Sequence, residues 1–324
     1  MVAAVRVHHY GGPEVLTYED VDLPPPANGE IRVRQTAIGV NYIDTYFRSG
    51  AYKAPSLPFT AGNEAAGEVV AIGEGVSGFR PGDRVAYVVT LGCYAAERNV
   101  PVSAAVKLPD GVSDETAAAM MLKGLTAEYL LHRTYKVKAG DTILMHAAAG
   151  GVGLILCQWA KHLGATVIGT VGTEQKAELA RANGCDHVIL YRRENFVERV
   201  AAITGARKCA VVYDGVGKTT FEGSLDCLQP LGVLASFGSA SGPVEAFNLA
   251  VLGAKGSLFV TRPTLFTFIP RREWLDEMAG NLFGVVSSGA VKIAIHQRAK
   301  LADAVEVHRS LEGRETTGAT IMAP

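Results

Sequence analysis

Apolar residues change their spacing along this chain. From residue 1 to about residue 120, short strand-like runs, such as those at 31–37, 68–72 and 84–89, are separated by glycine and proline. This pattern predicts a mainly antiparallel β region. From Ser113 the spacing becomes helical, and Ser113 and Thr116 are candidate caps of that helix.

Beyond Asp141 the pattern alternates between strands and helices. Predicted strands lie at 142–147, 165–169, 187–191, 210–214, 232–237 and 257–260, and predicted helices at 154–163, 194–203 and 219–228. Such alternation predicts an α/β fold with a doubly wound parallel sheet of the Rossmann type. The tail, with helices at 272–287 and 301–311 around a strand at 292–297, is expected to fold back onto the first region.

Two domains are expected in 324 residues. We predict a catalytic domain at 1–122, completed by 264–324, and a cofactor-binding domain at 123–263.

The segment DTILMHAAAGGVGLILCQWAKHLGATVIGTVGT at 141–173 predicts a mononucleotide-binding unit. Its glycine turn, Gly150 to Gly153, follows a strand and opens a helix, so that backbone N–H groups face a pyrophosphate. The turn departs from G-x-G-x-x-G because Ala148 replaces the first glycine. The alternative is an ordinary glycine-containing turn.

The end of the second strand indicates which cofactor is bound. An NAD site places an acid there for the ribose 2′-hydroxyl, whereas this chain has Gly172 and Thr173, with no acid before Glu174 and with Lys176 close behind. A hydroxyl and an ammonium favour a 2′-phosphate, so the sequence predicts NADPH. The alternative for Lys176 is a solvated helix residue.

Composition excludes several classes of protein. The net charge of −1 predicts no nucleic-acid partner, and the five cysteines, odd in number and never closely paired, indicate a reducing, cytoplasmic setting. The N-terminal stretch does not have the pattern of a secretion signal. No apolar run approaches the ~18 residues of a membrane span, so no membrane partner is expected.

Five motifs together resemble the quinone oxidoreductases, or zeta-crystallin-like proteins, of the medium-chain dehydrogenase/reductase superfamily. They are GVNYIDTYFRSG at 39–50, GNEAAGEVVAIGEGV at 62–76, PGDRV at 81–85, LKGLTAEYLL at 122–131 and HAAAGGVGL at 146–154. The resemblance spans essentially the whole chain. It implies a GroES-like catalytic domain, a Rossmann-type domain that binds NADPH, and a homodimer.

The resemblance also predicts that no metal is bound. Zinc members of the superfamily have a cysteine where this chain has Asn41, a His-Glu pair where it has Asn63-Glu64, and four close cysteines where it has only Cys93. A structural zinc needs about four N or S ligands and a catalytic zinc about three. The eight histidines show no metal-ligand spacing and are expected to be structural.

The resemblance implies a set of site residues. The candidate catalytic residues are Asn41, Asp44, Tyr46 and Tyr52. An amide and a phenol can stabilise the oxyanion that forms as hydride arrives, and a phenol can deliver a proton. The candidate cofactor contacts are Lys123, Thr126, Gly150, Gly151, Val152, Gly172, Thr173, Lys176, Tyr191, Phe237, Gly238, Ser239 and Arg314. The alternative is that the tyrosines pack, that Asn41 forms a turn, and that Phe237 belongs to a plain strand-to-loop turn.

The expected activity is hydride transfer from NADPH to a small-molecule quinone. An enzymatic alternative is reduction of the activated C=C bond of enones or alkenals, which needs the same carbonyl polarisation. A second alternative is a non-catalytic NADPH-binding, RNA-binding or structural role. The strand predicted at 257–260 would be the edge of the cofactor sheet, and a C₂ homodimer is expected to form there.

Overall fold

The computed structural model describes residues 1–324 and divides into two compact units. Unit 1 comprises Met1–Leu125, Phe268–Ser287 and Ile293–Pro324, and unit 2 comprises Thr126–Thr267 and Ser288–Lys292. Each unit has its own hydrophobic core.

The first part of the chain is mainly β, as predicted. Its strands are β1 (Val2–Val7), β2 (Leu16–Val21), β3 (Glu30–Val40), β4 (Phe59–Thr60), β5 (Glu64–Ile72), β6 (Arg84–Val88), β7 (Glu97–Pro101) and β8 (Ala105–Lys107). Its helices are α1 (Tyr42–Ser49) and α2 (Asp114–Tyr129), and α2 continues as a π-helical turn over Leu130–Thr134. Ser113 caps α2 as predicted, since its Oγ accepts from the backbone N–H of Thr116 at 3.1 Å.

The second part alternates strands and helices, also as predicted. The strands are β9 (Thr142–His146), β10 (Thr166–Val171), β11 (His187–Leu190), β12 (Cys209–Asp214), β13 (Leu228–Ser236) and β14 (Phe259–Thr261). The helices are α3 (Gly151–His162), α4 (Glu174–Ala182), α5 (Phe196–Thr204), α6 (Phe221–Asp226), α7 (Ala250–Ala254) and α8 (Leu265–Phe268). The tail adds α9 (Arg272–Ser287), β15 (Ile295–Lys300), α10 (Ala304–Glu312) and β16 (Ala319–Ala323).

Sheet topology assigns each unit its class. In unit 2 the six strands follow the order β11-β10-β9-β12-β13-β14 and every pair is parallel, which is the doubly wound Rossmann arrangement. Unit 1 contains a seven-stranded sheet, β15-β16-β3-β5-β6-β8 with β7 also on β3, and a three-stranded sheet, β2-β1-β4.

Some element boundaries differ from the prediction. Residues 39–50 contain a helix, α1, which the sequence pattern did not predict. Asn41 and Asp44 form the capping box at the start of α1, and Gly50, with φ 80°, ends the helix. The caps at both ends therefore define a helix of only eight residues. The strand expected at 292–297 is shifted to Ile295–Lys300. No helix of the chain combines the length and the apolar character needed to cross a membrane.

Candidate active site

The glycine turn of unit 2 joins β9 to α3. No side chain caps α3, so the N–H groups of its first turn and the positive end of its dipole are available to an anion. A Cβ on Gly153 would lie 2.5 Å from the carbonyl oxygen of Ala147, so only glycine permits this close packing. The turn therefore fits a pyrophosphate.

Ala148 is accommodated by a second glycine. A Cβ on Gly169, in the neighbouring strand β10, would lie 2.7 Å from the Ala148 Cβ. The space for the Ala148 methyl group thus comes from Gly169, which accounts for the departure of the turn from G-x-G-x-x-G.

The end of β10 brings together a hydroxyl and a guanidinium group. A Cβ on Gly172 would lie 2.9 Å from the Tyr191 hydroxyl oxygen and 3.4 Å from Nε of Arg192. Thr173 caps α4, because its Oγ1 accepts from the backbone N–H of Lys176 at 3.3 Å, and this places Lys176 in the first turn. The nearby acid Glu174 is ion-paired with Arg193 at 3.3 Å.

Beyond β13, the chain approaches the loop that follows β12. A Cβ on Gly238 would lie 2.4 Å from the carbonyl oxygen of Gly215, and the backbone N–H of Phe237 donates to the carbonyl oxygen of Asp214 at 2.9 Å. Arg262, which the sequence analysis missed, donates to the carbonyl oxygen of Ser236 at 2.9 Å. Ser239 and Arg262 line a cavity of about 560 Å³ at the carboxyl ends of β13 and β14, the edge where open α/β sheets bind ligands.

A buried network braces the same edge of the unit 2 sheet. His146 lies 2.9 Å from Thr170 Oγ1 and 3.0 Å from Ser224 Oγ, and Ser224 donates to Asp214 at 3.1 Å. Burial lowers the pKa of His146, which favours its neutral form. The arrangement supports the predicted structural role for His146.

In unit 1, Asn41 is the N-cap of α1 and is 4% exposed. Its backbone N–H donates to Asp44 Oδ2 at 2.8 Å, and its side-chain Nδ2 donates to Glu64 Oε1 at 2.8 Å. A carboxylate only accepts hydrogen bonds, so the amide nitrogen must face Glu64. The same oxygen accepts from Lys123 Nζ at 2.7 Å.

Three tyrosines form a cluster beside Asn41. The ring centroids of Tyr42 and Tyr46 are 5.5 Å apart, and those of Tyr46 and Tyr52 are 5.1 Å apart. Tyr52 is 38% exposed. Burial, and then the charge of Glu312, raise the pKa of Tyr42, while Arg314 opposes that shift, which places Arg314 within electrostatic reach of the cluster.

Asp44 begins a hydrogen-bonded chain through the interior of unit 1. Its Oδ2 accepts from the Tyr94 hydroxyl at 2.9 Å, Tyr94 lies 3.0 Å from His308 Nε2, and His308 Nδ1 lies 3.2 Å from Arg48 Nη1. Arg48 is ion-paired with Glu312 at 2.7 Å. Asp44 Oδ1 is buried without a partner.

Burial shifts the pKa values of Asp44 and His308, two members of this hydrogen-bonded chain. Burial raises the pKa of Asp44 to about 7, against the lowering effect of its hydrogen bonds from Asn41 and Tyr94. Burial, helped by the positive charge of Arg48, lowers the pKa of His308 to about 3. His308 is therefore neutral at ordinary pH, and only a tautomer with the proton on Nε2 lets Arg48 donate to Nδ1.

The remaining candidates on α2 lie in different units. Lys123 belongs to unit 1, where it contacts Glu64, and Thr126 belongs to unit 2, where it is hydrogen-bonded to the Tyr129 hydroxyl. Both side chains are buried, at 5% and 6% exposed.

No group of three or more His, Cys, Asp and Glu side chains is placed to hold a metal ion. Asn63 instead donates to the carbonyl oxygens of Val89 and Thr90. Cys93 is buried, and burial raises the pKa of its thiol to about 12, so it is a protonated core residue.

The structure adds residues that sequence reasoning missed. Glu64 accepts hydrogen bonds from Asn41 and Lys123, and Arg192 lies beside Gly172. A signal for Glu64 was present, because an acid at the start of the small, apolar run EAAGEVVAI is expected to be paired. Arg192 carried no signal, since it lies in a run of charged residues.

Two domain families match the chain. Residues 27–141 match the family described as alcohol dehydrogenase GroES-like domain, and residues 151–272 match zinc-binding dehydrogenase. Together with the two units described above, they define a two-domain dehydrogenase of the medium-chain class.

Full-length relatives narrow this class. A quinone oxidoreductase of Pseudomonas aeruginosa is 52% identical over 100% of both chains. The crystal structure of Escherichia coli quinone oxidoreductase complexed with NADPH is 50% identical and superposes with a TM-score of 0.97, covering 99% of this chain and 100% of that one. A 2-haloacrylate reductase of Burkholderia sp. is 44% identical over 100% of this chain and 99% of its own. The chain therefore belongs to the quinone oxidoreductase family.

Proposed function

We propose that this protein is an NADPH-dependent, zinc-independent quinone oxidoreductase. When bound, NADPH supplies a hydride from its nicotinamide ring. The observation that carries the proposal is the arrangement of the Asn41 amide and the Lys123 ammonium on one oxygen of Glu64. These two groups offer N–H donors that can polarise a substrate oxygen, a role that a Lewis acid would otherwise have. The full-length likeness to quinone oxidoreductases supports the same conclusion.

Asn41 and Tyr46 act on the substrate in this proposal. The second N–H of the Asn41 amide and the Tyr46 hydroxyl donate to the quinone oxygen and stabilise the negative charge that develops there. Tyr52, which is 38% exposed, supplies a proton. Asp44, a candidate catalytic residue in the sequence, is assigned here as a positioning residue, because its buried Oδ2 accepts hydrogen bonds from Asn41 and Tyr94.

The cofactor residues divide by the part of NADPH that they bind. Gly150, Gly151 and Val152 present backbone N–H groups to the pyrophosphate. Lys123 and Thr126 bind the nicotinamide ribose. The remaining proposed contacts are Gly172, Thr173, Lys176, Tyr191 and Arg314 at the 2′-phosphate, to which we add Arg192, and Phe237, Gly238 and Ser239 near the nicotinamide.

A second candidate activity is the reduction of activated C=C bonds. The observation that favours it is the 44% identity to a 2-haloacrylate reductase over the full length of this chain. The same donors would polarise the carbonyl of an enone.

We further infer a cytoplasmic homodimer. All five cysteines are free and buried, as suits a reducing compartment. Strand β14 pairs only with β13 in the unit 2 sheet, and its Phe259 is 59% exposed. An edge strand of this kind tends to pair with a second copy.

The test is NADPH oxidation against benzoquinone, naphthoquinones, an alkenal and 2-chloroacrylate, with product detection. Asn41→Ala and Tyr46→Phe should each lower kcat/KM for the preferred acceptor by roughly 10–10³-fold while the NADPH Kd stays nearly constant. Tyr18→Phe, an exposed tyrosine on β2, is the matched control. Wild-type turnover in both donor variants would reject their role. Tight NADPH binding without turnover of any acceptor would favour a binding protein.

A further inference from the structure

Glu64 is a buried carboxylate at the start of β5, and it is 0% exposed. Three N–H donors converge on it. Its Oε1 accepts from Asn41 Nδ2 at 2.8 Å and from Lys123 Nζ at 2.7 Å, while its Oε2 accepts from the backbone N–H of Leu122 at 2.6 Å. Both oxygens are therefore engaged.

Gly39 provides the space that this carboxylate occupies. Gly39 on β3 is the register partner of Glu64 on β5. A Cβ at residue 39 would lie 2.4 Å from Glu64 Oε1 and 2.1 Å from the carbonyl oxygen of Ala118. Any side chain at residue 39 would displace the carboxylate or push α2 away.

Charge balance makes the arrangement stable. A carboxylate removed from water is costly unless it is paired and hydrogen-bonded. Lys123, itself 5% exposed, supplies the opposite charge. The Lys123 ammonium also offsets the negative charge that Glu64 would otherwise present beside a developing oxyanion.

Glu64 fixes the direction of the N–H bonds of Asn41 and Lys123. The Asn41 amide nitrogen has two N–H bonds and the Lys123 ammonium has three. One from each is fixed on Glu64 Oε1, which sets the direction of those that remain. The side chains of Asn41 and Lys123 are thus oriented by a common acceptor.

We propose that Glu64 is a positioning residue that couples the substrate donor Asn41 to the cofactor ligand Lys123, with Gly39 providing the space. This inference rests on the proposed function. It predicts that catalysis and cofactor binding both depend on one carboxylate that touches neither substrate nor NADPH.

Glu64→Gln is the primary test. A carboxamide has one accepting oxygen, so it points its N–H groups either at the backbone N–H of Leu122 or at both Asn41 and Lys123. We expect the variant to lower kcat/KM for quinone by about 10–100-fold and to raise the NADPH Kd. In the Asn41→Ala background, Glu64→Gln should lower kcat much less than it does alone, because the residue it orients is already missing.

Glu128→Gln is the matched control. Glu128 is also 0% exposed and is ion-paired with Arg133 at 3.0 Å. This substitution should lower thermal stability and leave kcat and the NADPH Kd unchanged. If Glu64→Gln does not fold, Glu64→Asp keeps both acceptor oxygens but is shorter by one methylene, and it should show the same dependence on Asn41.

The outcomes separate the two proposals. An inactive wild type would reject the proposed function. An active wild type with wild-type kcat and NADPH Kd in folded Glu64→Gln or Glu64→Asp would overturn the role of Glu64. If the loss of kcat in the double variant equals the product of the losses in Glu64→Gln and Asn41→Ala, the role of Glu64 is overturned as well.

Discussion

Gly172 and Tyr191 share one corner of unit 2, where a Cβ on the glycine would come within 2.9 Å of the tyrosine hydroxyl oxygen. The absence of a side chain at residue 172 lets Tyr191 lie across the end of β10. Arg192 adjoins the same point and has no acidic partner, whereas Arg193 is ion-paired with Glu174. The corner thus offers a hydroxyl and an unpaired positive charge.

Cofactor preference should depend on this corner. We expect the wild type to bind NADPH more tightly than NADH. Arg192→Ala and Lys176→Ala should each weaken NADPH binding by about 1–3 kcal/mol, the range of a charge-assisted hydrogen bond, with little effect on NADH. Arg314 belongs to unit 1, near Tyr42, and the family resemblance predicts that it contacts the same phosphate, so Arg314→Ala should have the same effect. Titration of both cofactors by fluorescence or calorimetry measures the difference.

Arg193→Ala is the control for the removal of a nearby positive charge. Its guanidinium is held by Glu174, so the NADPH preference should persist. Equal affinity of the wild type for both cofactors would contradict the assignment of this corner to a 2′-phosphate.

The stability of unit 1 should depend on pH through His308 and Asp44, whose contributions to the free energy of unfolding change in opposite directions with pH. His308 has a pKa of about 3 in the folded state against about 6.5 when unfolded, so its contribution is lost as pH falls below about 6.5. Asp44 has a pKa of about 7 in the folded state against about 3.9 when unfolded, so its contribution is lost as pH rises from about 4 to 7.

Single substitutions should separate the pH dependence of stability that comes from each of the two groups. Relative to wild type, Asp44→Asn should lose more stability as pH falls from 6.5 to 4.5, and His308→Gln should gain stability over the same change. Urea unfolding at several pH values measures both. Curves parallel to wild type in both variants would show that neither group titrates as described. The double variant tests their coupling through Tyr94.

Activity should not depend on a bound metal. Residues 41 and 63, where zinc members have a cysteine and a histidine, are asparagines whose side chains are hydrogen-bonded. We expect full activity after prolonged treatment with EDTA or phenanthroline and well under one zinc per chain by elemental analysis. Stoichiometric zinc with loss of activity on chelation would overturn this prediction.

Dimerisation should depend on the β14 edge. Phe259→Asp places a charge on this strand and should shift the protein from dimer to monomer in light scattering at micromolar concentration. Tyr18→Asp, at a comparably exposed aromatic on β2, is the control and should remain dimeric. A monomeric wild type would contradict the prediction.

Regular elements could be predicted because their patterns are local. The parallel strands of unit 2 are continuous apolar runs, and helix α9 was predicted at its observed limits, Arg272–Ser287. Helix α1 was missed because it has only eight residues, too few for its pattern to be recognised as a helix, although the Asn41–Asp44 cap marks its start.

The site was less accessible to sequence reasoning, because its contacts join distant residues. Asn41 and Lys123 could be named as candidates, but the carboxylate between them is set by the register of β3 against β5. The roles of Tyr94 and His308 depend on a contact between residues 214 positions apart. A buried acid such as Glu64 signals that a partner exists without identifying it.

Strand β16 has a consequence for the order of folding. It lies inside the unit 1 sheet, between β15 and β3, with Val40 paired to Thr320. All six strands of the unit 2 sheet are present once residue 261 has been synthesised, whereas the unit 1 sheet has a vacant interior position until residues 319–323 appear. During translation, the cofactor-binding sheet can therefore form first, and the sheet that contains Glu64, and whose strand β3 ends next to Asn41, is completed later.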